Sequence, residues 1–362
     1  MGGHKEAKPT GKMQDITTVT VAGVTGAIGP VVVQALHNAG FEVQALTRKS
    51  TSDSVKPDLG NVKIIEIDYS SPQELQDVLR GQDAVISTLG DTAGAVSAQK
   101  ALIEASVATG VKRFIPSEFG SDTMNDRVRS FPFFIDKLKH QDLLKRATDE
   151  HPDFTYSIVI TGPFLDWGLS VVPFIINIGT RSAQVFDGGD IPFSTTRVTT
   201  LAQALVATLE KSDATKNRTL YIHDGIVTQN HLIARSEALG TAAFSRDSVD
   251  TRALETVAWT AFGDPDADPL SWIFAFINIS LWSGEELCTF RQTDNELLGI
   301  TELQGAKLDN VVDAEISHAI KVFKSSQATA GNDHNTNTAE KAFEDGKRKL
   351  IGCYPSTCAP SS

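Results

Sequence analysis

The chain has 362 residues, with 33 Lys and Arg against 45 Asp and Glu, giving a formal net charge of −12. An excess of carboxylates repels a phosphate polyanion, and no basic run supplies a locally positive face, so nucleic acid is excluded as a partner. At 41% hydrophobic and 22% charged residues the composition is that of a globular protein able to bury a sizeable core.

The uncharged stretches 168–180 and 269–284 fall short of the roughly 18 to 20 apolar residues that cross a bilayer. Residues 1–15 alternate charge, Gly and Pro without an apolar segment, which predicts a flexible N-terminus, no membrane partner and a cytoplasmic location. Three cysteines cannot frame a disulfide fold. Cys353 and Cys358 lie in a Pro/Ser-rich tail without histidines at zinc spacing, so no metal is expected and a tail disulfide is left open.

Ile16 to Val21 is an unbroken β-branched run, followed at once by Gly23, Gly26 and Gly29 and then by Pro30 to Leu36. β-branching favours the extended chain and Pro is tolerated in the first turn of a helix, so the segment predicts strand, tight turn, helix. The unit recurs. Strands are expected at Glu42–Leu46, Val62–Ile67, Ala84–Leu89, Lys112–Pro116 and Phe154–Ile160, and helices at Pro72–Leu79, Ala95–Ala108 and Phe133–Thr148. Such alternation predicts an α/β fold with a doubly wound parallel sheet, the Rossmann, NAD(P)-binding architecture, over residues 16–160.

Beyond Thr161 the alternation loosens, although Thr199–Leu209 reads as a helix, Thr219–His223 as a strand added to the sheet, and Leu303–Phe323 as an amphipathic helix. Residues 161–324 are expected to form a smaller, interrupted substrate-binding part, and 325–362 a largely disordered tail with a short helix near Ala339–Lys349. No internal repeat is visible.

A Gly triplet between a strand and a helix lets a pyrophosphate approach the helix N-terminus, so Gly23, Gly26 and Gly29, with Thr25, Ala27 and Ile28 between them, are the candidate dinucleotide loop. The alternative is that these glycines serve only tight helix–strand packing. The second strand ends in Thr47, Arg48 and Lys49, with no acid to accept from a ribose 2′-OH. Two cations there suit the 2′-phosphate of NADPH or NADP+, unless they are simply solvated surface charges.

The segments Val21 to Gly29, Lys112-Arg-Phe-Ile-Pro-Ser-Glu-Phe-Gly120 and Phe134-Ile-Asp-Lys137, in this order, resemble the isoflavone reductase-like branch of the NmrA-type, atypical short-chain dehydrogenases, and most of all its fungal members. The likeness covers about residues 16–165 closely. It implies an NADPH-dependent reductase of small aromatic or related secondary metabolites. It also implies that Lys137 assists hydride transfer and that Phe119 and Phe164 line the nicotinamide pocket. None of Tyr69, Tyr156, Tyr221 or Tyr354 has Lys four residues on, so the usual Tyr-x-x-x-Lys dyad is absent.

On a helix, Phe133, Phe134 and Leu144 fall within about 60° of Lys137, while Lys139, Asp142 and Arg146 lie opposite. Lys137 is thus expected on the inward face with its pKa lowered by burial, as an acid or base, a ribose ligand, or merely a snorkelling side chain. Phe164, Trp167, Trp272, Phe276 and, less so, Trp282 are candidates to line an apolar substrate pocket or to build the core. Which bond is reduced, and the oligomeric state, are not legible. A dinucleotide-sensing regulator without turnover, as NmrA-type relatives include, is the competing reading.

Overall fold

The computed structural model describes residues 16–49, 57–171 and 174–329. The first half runs β1 (Thr18–Ala22), α1 (Gly29–Asn38), β2 (Glu42–Arg48), β3 (Lys63–Ile67), α2 (Pro72–Leu79), β4 (Ala84–Ser87), α3 (Ala93–Thr109), β5 (Arg113–Ile115), the short α4 (Asp126–Arg129), α5 (Ile135–Glu150) and β6 (Thr155–Ile160). There follow α6 (Leu165–Ser170), β7 (Ser182–Phe186), β8 (Phe193–Thr195), α7 (Val198–Glu210), α8 (Ser212–Thr215), β9 (Arg218–Tyr221), β10 (Gly225–Val227) and α9 (Gln229–Ala238). The chain closes with β11 (Ser245–Val249), α10 (Thr251–Phe262), α11 (Pro269–Trp282), α12 (Asn295–Leu298) and α13 (Gly305–Thr329).

Seven strands form one parallel sheet in the order β3-β2-β1-β4-β5-β6-β9. This is the doubly wound α/β arrangement, with β9 added at one edge. Packing on both faces explains the uniformly buried β4 and the β-branched β1, whose Val19 and Val21 face one layer while Ala22 faces the other. On the first side Val19, Val21 and Ile86 pack with Val32 and Leu36 of α1 and Leu201 and Leu205 of α7. On the second, Ala22, Leu46, Val85 and Phe114 pack with Leu75, Leu102 and Leu144 of α2, α3 and α5. Each such Leu side chain, removed from water, contributes about 1.5–3 kcal/mol.

Local chemistry sets the boundaries. Ser71 and Thr92 cap α2 and α3 by accepting from the backbone N–H groups of Glu74 and Ala95, and Gly110, at φ 78°, ends α3. The expected strand through Pro116 stops at Ile115, because Pro offers no N–H to a ladder. The expected strand through Leu89 stops at Ser87, where the chain turns across the glycine loop. The expected start of α5 at Phe133 is a 3₁₀ turn, Pro132–Phe134, that leads into the helix.

In the second half β7 pairs with β11 in parallel and β8 with β10 antiparallel, outside the main sheet. Trp282 is core: its ring stacks on Phe186 at 5.3 Å and meets Phe174 and Phe193 edge-on or tilted. The last helix carries on to Thr329, past the expected end of order at residue 324, since extending a formed helix costs little per residue. The tail helix expected near Ala339–Lys349, and both tail cysteines, lie outside the described residues.

Candidate functional site

The order of the strands reverses direction between β1 and β4, and it is at the carboxyl ends of strands beside such a switch that an open α/β sheet leaves a crevice. The glycine loop sits there, and its three glycines have different reasons. Gly23 has φ +93°, and a Cβ on it would lie 2.7 Å from the Thr88 carbonyl oxygen. A Cβ on Gly29 would lie 2.6 Å from the Val24 Cα. Both are therefore required by the fold itself. Gly26 is exposed, its φ is ordinary, and a Cβ there would meet only the Gly23 carbonyl oxygen at 3.4 Å. Packing does not account for the third glycine, so the residues present fit a dinucleotide whose pyrophosphate comes close to the backbone. Thr25 and Ala27 are exposed beside it, Ile28 is half-buried, and no side chain caps the N-terminus of α1.

Arg48 is exposed at the end of β2, whose Leu46 carbonyl accepts from the Gly23 N–H at 3.2 Å. Strand end and glycine loop are thus neighbours. Lys49, also exposed, is held by Glu74 at 2.6 Å, and that carboxylate keeps its ammonium pKa up. A 2′-phosphate would have to share Lys49 with Glu74, which leaves Arg48 as the stronger candidate.

Lys137, on the first turn of α5, points back toward the sheet. Its Nζ donates to the Ser117 carbonyl at 2.9 Å and lies 3.2 Å from Asp91 Oδ1. Beside it is a recess of about 10 Å³, room for about one water, lined by Leu89, Asp91, Gln99, Ser117, Phe133 and His140 among others. The lowered lysine pKa expected from burial is corrected here. Burial does push it down, but the carboxylates of Asp91 and Glu118, and the hydrogen bond to Asp91, outweigh that and raise it. Lys137 is therefore a fixed ammonium.

The Pro116–Gly120 segment is braced from both sides. Gln99 accepts from the Ser117 N–H at 2.8 Å through Oε1, so its amide nitrogen donates to His140 Nδ1 at 3.0 Å. The other ring nitrogen of His140 then carries the proton and donates to the Val96 carbonyl at 3.1 Å. Burial lowers the His140 pKa, which keeps this neutral tautomer. Glu118 is only 1% exposed; Oε2 accepts from Thr123 and Gln141, while Oε1 has no partner among the described residues. Burial raises its pKa against the pull of Lys137.

Phe119, Phe164 and Trp167 join the cluster that holds Val24 of the glycine loop. The Gly162 N–H donates to the Gly120 carbonyl at 3.0 Å, which ties the segment bearing Phe119 to the one bearing Phe164. Gly162 must be glycine, at φ +65° and with its Cβ position 2.2 Å from the Ser194 carbonyl oxygen. Trp272 and Phe276 are not brought to the recess. They are buried in a cluster of α11 with Phe131, Phe133 and Phe134, Phe276 stacking on Phe131 at 5.0 Å. Through Phe133 that cluster backs the wall of the recess.

The NmrA-like family profile matches residues 15–268. The chain belongs to the NmrA-like family. Among its relatives, oxidoreductase poxI of Penicillium oxalicum is 28% identical over 292 residues, covering 78% of this chain and 89% of that protein. The structure of leucoanthocyanidin reductase with NADPH from Vitis vinifera superposes with a TM-score of 0.64 at 18% identity, over 83% of this chain and 99% of that one. AtPrR2 with NADP+ and (+)pinoresinol gives 0.59 at 19% identity, over 83% and 99%. At these identities the two structures establish a shared fold.

Sequence reasoning missed four residues that surround Lys137 in this NmrA-like protein: Asp91, Gln99, Glu118 and His140. Glu118 stands inside a motif that was read, and the buried face of α5 that carries Lys137 also carries His140, so both had a signal. Asp91 and Gln99 had none, since they come from the loop after β4 and from α3. Among the described residues no helix is long and apolar enough to cross a membrane, and no His, Cys, Asp and Glu group is placed to hold a metal.

Proposed function

We propose that the protein is an NADPH-dependent oxidoreductase that delivers hydride to a small, apolar, aromatic or heterocyclic secondary metabolite, at a C=C, C=N, C=O or benzylic C–O bond. One observation carries this reading: a single loop, Thr88 to Asp91, touches Gly23 of the candidate pyrophosphate loop at one end and Lys137 at the other. Dinucleotide loop and candidate acid are thereby fixed to each other at the carboxyl ends of β1, β4 and β5. Its relative poxI, named an oxidoreductase, and two structural neighbours that hold NADPH, or NADP+ with an aromatic ligand, support the same class.

In this reading the glycine loop and the α1 N-terminus hold the pyrophosphate, and Arg48 pairs with the 2′-phosphate. The reduced nicotinamide, when bound, supplies the hydride. Phe119 and Phe164 form the apolar wall that orients its ring and excludes water. Lys137 turns its remaining N–H toward the substrate atom that becomes electron-rich, hydrogen-bonds it, and passes it the proton that completes the reduction; the amine is then reprotonated from solvent. Residues 161–324 supply the cover, with Trp167 at its inner edge and Trp272 and Phe276 as its rigid backing.

The test is NADPH oxidation followed by absorbance with aromatic enones, imines, ketones and benzylic ethers, set against sugar phosphates. Turnover of planar aromatics is expected. Faster turnover of charged sugars would overturn the substrate class. Tight NADPH binding with no turnover on a broad panel, and a protein partner that responds to cofactor redox state, would replace the enzyme by a dinucleotide sensor.

A further inference from the structure

An ammonium has three N–H bonds, and two of those of Lys137 are already assigned, to the Ser117 carbonyl at 2.9 Å and to Asp91 Oδ1 at 3.2 Å. Only one direction is left for a reacting group. The Ser117 carbonyl is neutral and fixed by the backbone, whereas Asp91 brings a full charge and comes from the loop that also packs on Gly23. We propose that Asp91 is a positioning residue, which aims the third N–H of Lys137 and holds that side chain as an ammonium until it gives up its proton. The inference rests on the reductase reading for its consequence, but the contact itself can be tested without turnover.

The alternatives for this role are few. The titratable groups that face Lys137 are Asp91 from the β4–α3 loop, Glu118 from the segment after β5, and Asp136 and His140 from its own helix. Asp136 is engaged by Lys139 at 2.8 Å. His140 is held neutral by Gln99 and Val96. Glu118 spends one oxygen on Thr123 and Gln141, and burial disfavours its charge. Asp91 remains as the carboxylate in hydrogen-bond contact with Nζ, and its side chain is 34% exposed.

The experiment compares the parent with Asp91→Asn, Asp91→Ala and Asp91→Glu, following acetylation of Lys137 by acetic anhydride against pH by mass spectrometry. Only the free amine reacts, so removing the neighbouring anion should raise Lys137 acetylation roughly tenfold at about pH 8.5, with Asp91→Glu restoring most of the protection. Lys139 in the same digest is the internal reference. Thermal melting confirms that each variant is folded, which is expected for a half-exposed side chain. In NADPH oxidation, Asp91→Asn should lower kcat with little change in the KM for NADPH. Unchanged Lys137 acetylation in a folded Asp91→Asn variant overturns the inference whether or not a substrate turns over. Raised acetylation with kcat unchanged overturns the positioning role. Absence of NADPH binding in the parent fails the reductase reading alone, because the acetylation result stands without it.

Discussion

The three glycines of the loop offer a sharp experiment, because the structure gives them separate duties. In Gly23→Ala the new Cβ enters at φ +93° and 2.7 Å from a carbonyl oxygen of the neighbouring strand end. A side chain in a left-handed conformation costs about 1–2 kcal/mol, and overpacking against unyielding backbone about 1–3 more. The sum, about 2–5 kcal/mol, corresponds to a melting temperature lowered by roughly 3–7 °C for a protein of this size. Gly29→Ala has an ordinary φ but meets the Val24 Cα at 2.6 Å, so the overpacking term alone applies. Gly26→Ala meets one oxygen at 3.4 Å, the near edge of ordinary contact, and should stay within about 0.5 kcal/mol of the parent. Its effect should appear instead in NADPH binding. A methyl standing between backbone and pyrophosphate removes one charge-assisted hydrogen bond or more, about 1.5–3 kcal/mol, or roughly 10- to 150-fold in Kd. Differential scanning fluorimetry and NADPH fluorescence titration on the three variants read the two quantities separately. Should Gly26→Ala bind NADPH like the parent, the loop does not hold the pyrophosphate; should it melt as low as Gly23→Ala, its glycine serves the fold after all.

Arg48→Ala should weaken NADPH binding about 10- to 150-fold and leave NADH nearly unchanged, while Lys49→Ala, already shared with Glu74, should do less; equal binding of both cofactors by Arg48→Ala would dismiss the strand-end site. Lys137→Ala should bind NADPH nearly normally and lose about 10²- to 10⁴-fold in kcat, with Lys139→Ala close to the parent, and equal small effects of the two would remove Lys137 from the chemistry. His140 and His223 are both buried with lowered pKa values, so below the ordinary histidine pKa the unfolded chain takes up protons that the native state refuses. Stability should therefore fall as pH drops below about 6.5, by up to about 1.4 kcal/mol per pH unit for each, and the slope of melting temperature against pH should flatten in His140→Gln and His223→Gln.

The sheet was legible because its evidence is local: β-branched runs, capping residues and a glycine triplet each declare one strand or helix, and alternation supplies the topology. The role of each glycine was not, since spacing alone cannot separate a glycine crowded by Thr88 from one crowded by nothing. Arg48 could be read from its place at a strand end, but the claim of Glu74 on Lys49 required the fold. Trp272 and Phe276 illustrate a harder limit. An aromatic cluster in sequence is compatible with a pocket wall or a packed core, and what decides is the docking of α11 on the Phe131–Phe134 turn, a long-range contact that no local pattern records.

Lys137 shows the same limit in its charge, and there the difference can be measured. Periodicity places it correctly on the inward face of α5, and burial by itself would bring its pKa down toward neutrality. The acids that reverse this outcome arrive from two other elements, Asp91 from the loop after β4 and Glu118 from the segment after β5. An amine poised near neutrality would make kcat change steeply through neutral pH, as its protonated fraction fell. An ammonium pinned by Asp91 gives a flat profile through neutrality and a loss of rate only on the alkaline side, above the ordinary lysine pKa of about 10.4. In Asp91→Asn, with the charge gone and burial left, the alkaline limb should move toward neutral pH. A parent profile that bends near neutrality, and that bend absent in Lys137→Ala, would mean that burial wins over Asp91 and Glu118 in the working enzyme.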